Sequence, residues 1–191
     1  MSGFPNAMAW IGWIWFQMGH KEHKKGAPGH LRVGILTVST TRGLADDKSG
    51  HWMNRHAKRE GHTVVLHEVL ADNRCDIARK VADIAARQTV DLLIINGGTG
   101  LSPSDVTIEA VKPLFGKELT AFSPAFTQLS FEAIDSAAIV SRATAGIIKK
   151  TAVFCLPGSI NACKLACKAL IFPEAGHIAA HIRADELLGA Y

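Results

Sequence analysis

Residues 91–110 read DLLIINGGTGLSPSDVTIEA, and the fold hangs on how this stretch is understood. Residues 92–96 are apolar apart from the closing Asn96, include two β-branched isoleucines, and are too few for a helix of their own. They read as a fully buried parallel strand. Gly97, Gly98, Thr99 and Gly100 end it abruptly, and glycines there let the backbone take positive φ and come close to a ligand. Ser102 then stands where an N-cap belongs, with Pro103 at the first helical position and Asp105 three residues on, so a helix is predicted over about 104–115. Strand, glycine turn and helix N-terminus in succession point free N–H groups and a helix dipole at one spot, as α/β proteins do to hold phosphate. The stretch is not a Walker loop, since no Gly-Lys-Ser/Thr follows, and it lacks GxGxxG spacing. Taken alone, it fits a tight strand-to-helix connection as well as a ligand site.

Outward from it the rhythm is regular. Strands are predicted at 31–39, at 62–70 and at 151–156. Helices are predicted from Ser49-Gly50 to about Glu60, stopped by Gly61, and along the Ile77, Val81, Ile84, Ala85 stripe. Further helices fall within 118–135, over 161–170, and from Pro173 to about Leu188. Residues 137–150 are ambiguous, with Gly146 marking a turn. Strands alternating with helices give a three-layer α/β/α sandwich with a mostly parallel sheet.

The chain has 191 residues, 48% apolar and 20% charged, one globular domain's worth plus a tail. Its formal net charge of +4 owes part of its excess to the KEHKK run at 21–25. That is a solvated face or a lure for an anionic substrate, and no nucleic-acid partner is expected. Cys75, Cys155, Cys163 and Cys167 show no CxxC pairing and read as reduced thiols of a cytoplasmic protein. No run approaches the ~18 apolar residues of a membrane span. Residues 1–30 lie outside the pattern and are expected to be a tail, with 31–191 the ligand-binding domain. Within the tail, AMAWIGWIWF at 7–16 holds three of the four tryptophans. The simpler account is an upstream extension ahead of a start at Met18, the other a partner- or membrane-surface-binding segment.

In such a sheet ligands bind beyond the carboxyl ends of the strands. Those ends here are STTRG, ADN, GGTG and LPGS, with carboxylates offered by Asp72 and Asp105. Glycine loops, helix N-termini and carboxylates suit a nucleotide triphosphate with Mg²⁺, which takes oxygen ligands. Each residue also has a plain structural reading: Asp72 as a helix N-cap, Asp105 as a first-turn carboxylate, Ser49 as a cap. His177 and His181 have the spacing of a helical metal pair without the HExxH glutamate, and a surface or core pair is the simpler account.

Four segments together resemble the MoaB/Mog family of molybdopterin adenylyltransferases, to which the gephyrin G domain is related. They are TVSTTRGLADDKSG at 37–50, NGGTGLSPSDVT at 96–107, SRATAGIIKKT at 141–151 and LPGS at 156–159. The resemblance runs from about Leu31 to His181. It implies Mg-ATP-dependent adenylylation of molybdopterin with release of pyrophosphate, in a cytoplasmic homotrimer or homohexamer of molybdenum or tungsten cofactor biosynthesis. Hand-over to a metal-insertion protein would follow. Asp72 and Asp105 match the family's catalytic, Mg²⁺-holding carboxylates. Ser39, Gly97, Gly98, Thr99, Gly100, Ser104, Thr107, Pro157, Gly158 and Ser159 fall in its ligand-binding segments. The rival reading is a non-catalytic oligomer of the same family that carries molybdopterin or a nucleotide.

Overall fold

The computed structural model describes residues 27–188, so the tryptophan-rich segment and the Met18 reading lie outside the described residues. Six strands form one sheet in the order β2-β1-β3-β6-β5-β4. They are β1 (Arg32–Val38), β2 (Thr63–Leu70), β3 (Leu92–Asn96), β4 (Lys117–Glu118), β5 (Thr144–Ile148) and β6 (Thr151–Leu156). The first four in that order run parallel, and β5 and β4 complete the edge antiparallel. Because β2 and β3 flank β1 on opposite sides, the chain reverses its winding between β1 and β3, and a crevice opens there at the strand ends.

Strand alternation splits the core into two layers. Val33, Ile35, Leu92, Ile94, Phe154 and Leu156 face one side, where α1 (Lys48–Arg59), α4 (Phe122–Ile134) and the C-terminal helices pack. Leu36, Val38, Leu93, Ile95, Val153 and Cys155 face the other, covered by α2 (Arg74–Arg87) and the short α3 (Thr107–Val111). The central strands are buried on both faces, which is why they read as unbroken apolar runs. The three-layer expectation holds.

Four local expectations change. The helix after the glycine turn begins at Thr107, not near Ser104, and gives way to a 3₁₀ turn at Lys112–Leu114. Ser102 is no N-cap: its carbonyl accepts from Asp105 N, and its own N–H donates to Asp105 Oδ2, both at 2.8 Å. That closed turn uses up the groups a helix start would need. Gly146 lies inside β5 rather than in a turn, because the Phe115 ring packs where a Cβ would stand. The hairpin turn falls at Lys149–Lys150, with Lys149 at φ 53. Pro173 opens no separate helix. Instead α5 (Ile160–Ala166) runs through a π turn at Cys167–Ile171 into α6 (Phe172–Leu188). Pro173 cannot donate to the carbonyl four residues back, and the wider turn just before it accommodates the misfit.

Ala27 to His30 lie against the fold. A Cβ on Gly176 would stand 2.8 Å from the Pro28 carbonyl oxygen, and His30 Nδ1 lies 2.6 Å from the Gly61 oxygen. No described helix is long and apolar enough to cross a membrane. All four cysteines are free; three are buried and Cys75 is exposed. Burial holds the Cys163 thiol up at about 12, so it behaves as a small apolar side chain rather than a nucleophile.

Candidate active site

The crevice is an open cleft of about 480 Å³ at the carboxyl ends of β1, β3 and β6. Gly97 to Gly100, Asp105 and Pro157 to Ser159 line it as the sequence predicts. Gly97 and Gly98 hold φ of 96° and 60°, left-handed values that favour glycine. Two further constraints act there. A Cβ on Gly97 would strike the Val38 carbonyl, and one on Gly98 would strike Thr107 Oγ1 and stand 2.9 Å from Asp72 Oδ1.

Both carboxylates reach this loop, from different elements. Asp72, after β2, accepts at Oδ2 from Thr40 N and Thr40 Oγ1, each at 2.7 Å. It caps nothing: Asn73 caps α2, its Oδ1 accepting from Cys75 N and Asp76 N. Asp105 stands beside Gly100, its Oδ2 2.8 Å from where a Cβ on that glycine would be. It precedes α3 rather than sitting in that helix's first turn, so the helix-dipole account of it does not apply. In each residue one oxygen is engaged and Oδ1 has no hydrogen-bond partner among the described residues.

Other predicted residues do not line the cleft. Thr107 is fully buried; its hydroxyl donates to the Gly97 oxygen at 2.8 Å and its N–H to the Gly98 oxygen at 2.9 Å, clamping the loop. Ser39 Oγ accepts from Arg42 N at 3.2 Å and shapes the turn after β1. Ser104 is exposed, its hydroxyl 3.0 Å from that of Ser102. Ser49 is not the cap of α1. Asp47 is, accepting from Gly50 N, while Ser49 donates to the Gly158 oxygen at 3.0 Å. Asp47 is wholly buried. Burial alone would raise its pKa, but hydrogen bonds from Thr37 (2.6 Å), His67 (2.9 Å) and Gly50 N hold it below the usual carboxylate value.

Two cations also line the cleft, at positions that no spacing pattern marks on its own. Arg42 comes from the turn after β1, and one guanidinium nitrogen lies 3.5 Å from where a Cβ on Gly158 would stand. Arg142 enters just before β5 and pairs with Glu109 of α3. Burial works to raise the Glu109 pKa, and the bond from Arg142 overrides it, leaving the carboxylate ionised. Arg142 Nε is buried and unpartnered. Both arginines lie in motifs visible in the sequence, TTRG and SRATAG. Only the sheet order shows that they share a cleft.

Comparison with known proteins agrees with this geometry. The family described as the probable molybdopterin binding domain matches residues 34–177. The chain is 45% identical over 170 residues to the molybdenum cofactor biosynthesis protein B of Bacillus subtilis, covering 88% of this chain and 100% of that one. It is 37% identical over 172 residues to the molybdopterin adenylyltransferase of Pyrococcus furiosus, covering 87% and 99%. A crystal structure of a molybdenum cofactor biosynthesis protein B superposes with a TM-score of 0.80 at 40% identity, over 83% of this chain and 99% of that one. The chain belongs to the molybdopterin-binding-domain family that includes the MoaB and Mog proteins.

Proposed function

We propose that this protein acts in molybdenum or tungsten cofactor biosynthesis by adenylylating the phosphate of molybdopterin with ATP. The observation that carries the reading is that Asp72 and Asp105 both reach the GGTG loop, one beside Gly98 and the other beside Gly100, each with an uncommitted oxygen. Asp105 lines the open polar cleft and Asp72, which does not line it, stands beside Gly98 at its edge, a pair that fits Mg²⁺, a hard cation that takes oxygen ligands from one or two carboxylates plus phosphates. Bound there by Asp105 and Asp72, Mg²⁺ would supply charge neutralisation at the α-phosphate and the departing pyrophosphate.

The remaining work falls to the chain's own groups. A phosphate oxygen of molybdopterin attacks the α-phosphorus, the α–β P–O bond breaks, and pyrophosphate leaves with the electron pair. The nucleophile is already anionic, so no side chain need remove a proton. Catalysis is then positioning and charge stabilisation. Gly97 to Gly100 leave room for phosphate oxygens against the backbone. Arg42 and Arg142 line the same cleft and offset the accumulated negative charge. Thr107 keeps the loop in its left-handed shape.

The proposal extends to the assembly and its setting: a cytoplasmic homotrimer or homohexamer, residues 31–191 as the binding domain, and hand-over of the product to a metal-insertion protein. Phe131, Ile134, Ile139 and Val140 are large apolar side chains left exposed, Val140 at the cleft itself, which supports self-association. The test is direct: purified protein, Mg-ATP and molybdopterin should release pyrophosphate in proportion to molybdopterin added. Binding of both substrates without pyrophosphate would leave the chain as the non-catalytic carrier.

A further inference from the structure

A second polar cluster lies on the last helix, away from the cleft. His177 and His181 stand one turn apart on α6, so their side chains project from one face. Their Nε2 atoms lie 2.8 Å apart, and the ring planes meet at 54°. Glu174, a turn earlier, brings Oε2 to 3.3 Å from His177 Nδ1. A carboxylate in that place holds the proton on Nδ1 and leaves His177 Nε2 as an acceptor facing His181 Nε2. Spacing alone does not separate a surface pair from a ligand pair; here both Nε2 atoms converge in a hydrogen bond, one ring is backed by a carboxylate, and a metal ion would take the place of the shared proton. The pair opens on a groove of about 660 Å³ that Lys117, Glu118 and Lys149 also line.

We propose that His177 and His181 form a two-nitrogen chelate for a divalent transition metal such as Zn²⁺, Ni²⁺ or Cu²⁺, with Glu174 as the positioning residue. Two imidazole nitrogens, each ~2.0–2.1 Å from one ion, stand roughly 2.9–3.4 Å apart in square or tetrahedral coordination. The observed 2.8 Å needs only a small ring rotation to reach that range. Imidazole suits these borderline metals and not Mg²⁺, so the site is chemically distinct from the carboxylate cleft. Among the described residues no group of three or more His, Cys, Asp or Glu forms a ligand set. The other coordination positions therefore open to the groove, for water or for an anionic co-ligand drawn by Lys117 and Lys149. Both rings must be neutral to bind, so protons compete and affinity falls in acid.

Calorimetry of the tag-free full chain with Zn²⁺ or Ni²⁺ tests this. One ion per chain is expected, with that event lost in a folded H177A/H181A double variant. Glu174→Gln should weaken binding by about tenfold, as loss of an outer-shell partner does. Unchanged binding in the double variant would place the metal elsewhere, for instance on His20 and His23, and would overturn the proposal. So would absence of binding by the unmodified chain. If the double variant does not fold, the Cu²⁺ electron paramagnetic resonance spectrum of an H20A/H23A variant decides: two coupled nitrogens support the site, and their absence refutes it.

Discussion

Two aspartates bracket the central strand, and they are used in opposite ways. Asp91, just before β3, is gripped on all sides. Its Oδ2 accepts from Arg32 N (2.8 Å) and Arg32 Nε (3.1 Å), and its Oδ1 from Arg32 Nη2 and Arg183 Nη2, each at 2.8 Å. Burial alone would raise its pKa, yet these bonds hold it down at about 2. Asp105, beyond the other end of the same strand, has one oxygen tied to Ser102 N and the other free. A saturated carboxylate staples chain segments together, whereas a half-used one keeps capacity for something not yet bound. The amino-terminal end of the sheet is built for stability, and the carboxyl end holds back hydrogen-bonding capacity for ligands.

The sharpest way to break that contrast is to fill the open end. In Gly98→Val the new side chain meets Thr107 Oγ1 and crowds Asp72, at a φ of 60° that a β-branched residue resists. ATP binding measured by calorimetry should vanish in a folded variant; normal affinity would mean that the loop does not touch the nucleotide. Asp105→Asn is next. Asparagine can still accept from Ser102 N, so the melting temperature should hold, while pyrophosphate release slows at least roughly a hundredfold. Extra Mg²⁺ should recover part of the rate. Near-normal turnover would reduce Asp105 to a turn residue and move the metal site toward Asp72 and Asp47.

Asp91→Asn should do the reverse: keep the chemistry and lose stability. A carboxylate held near 2 from an ordinary 3.8 stabilises the fold above about pH 4, and that contribution fades as pH falls through about 2. Arg32 and Arg183 keep 45% and 41% of their side-chain surface exposed, so solvent screening trims the effect to about 1–2 kcal/mol. Urea unfolding at pH 7 should show this difference and at pH 2 should nearly abolish it. A pH-independent difference would argue for packing rather than charge. Thr107→Val is expected to act on a similar scale: it removes the hydroxyl clamp and leaves the Gly97 carbonyl short of a partner. A loss of about 1–2 kcal/mol is expected, with a modest rate reduction. A rate loss as deep as that of Asp105→Asn would give Thr107 a direct part in catalysis.

The sequence by itself determined the layers and the glycine loop. Apolar runs at 92–96 and 151–156 can only be strands buried on both faces, and the 3.6-residue stripe from Ile77 to Ala85 can only cover one of those faces. These are properties of neighbours along the chain, and periodicity displays them. The four motif segments also carry the resemblance to the family without any tertiary contact. Tertiary structure decided which residues meet. Asp72 and Asp105 are 33 positions apart, and each had a plausible life as a helix cap. Asn73 supplies the cap that Asp72 does not, and the turn at Ser102 holds Asp105 clear of α3. Arg42 and Arg142 share a cleft because β1, β3, β6 and β5 are adjacent in the sheet and β5 runs antiparallel to β6, an order no local pattern encodes. Gly146 looked like a turn because its reason for being glycine, the Phe115 ring, lies on another element. Local propensity is written in consecutive residues, but a site is a meeting of distant ones, and that meeting is fixed only when the sheet order and the helix packing close around it.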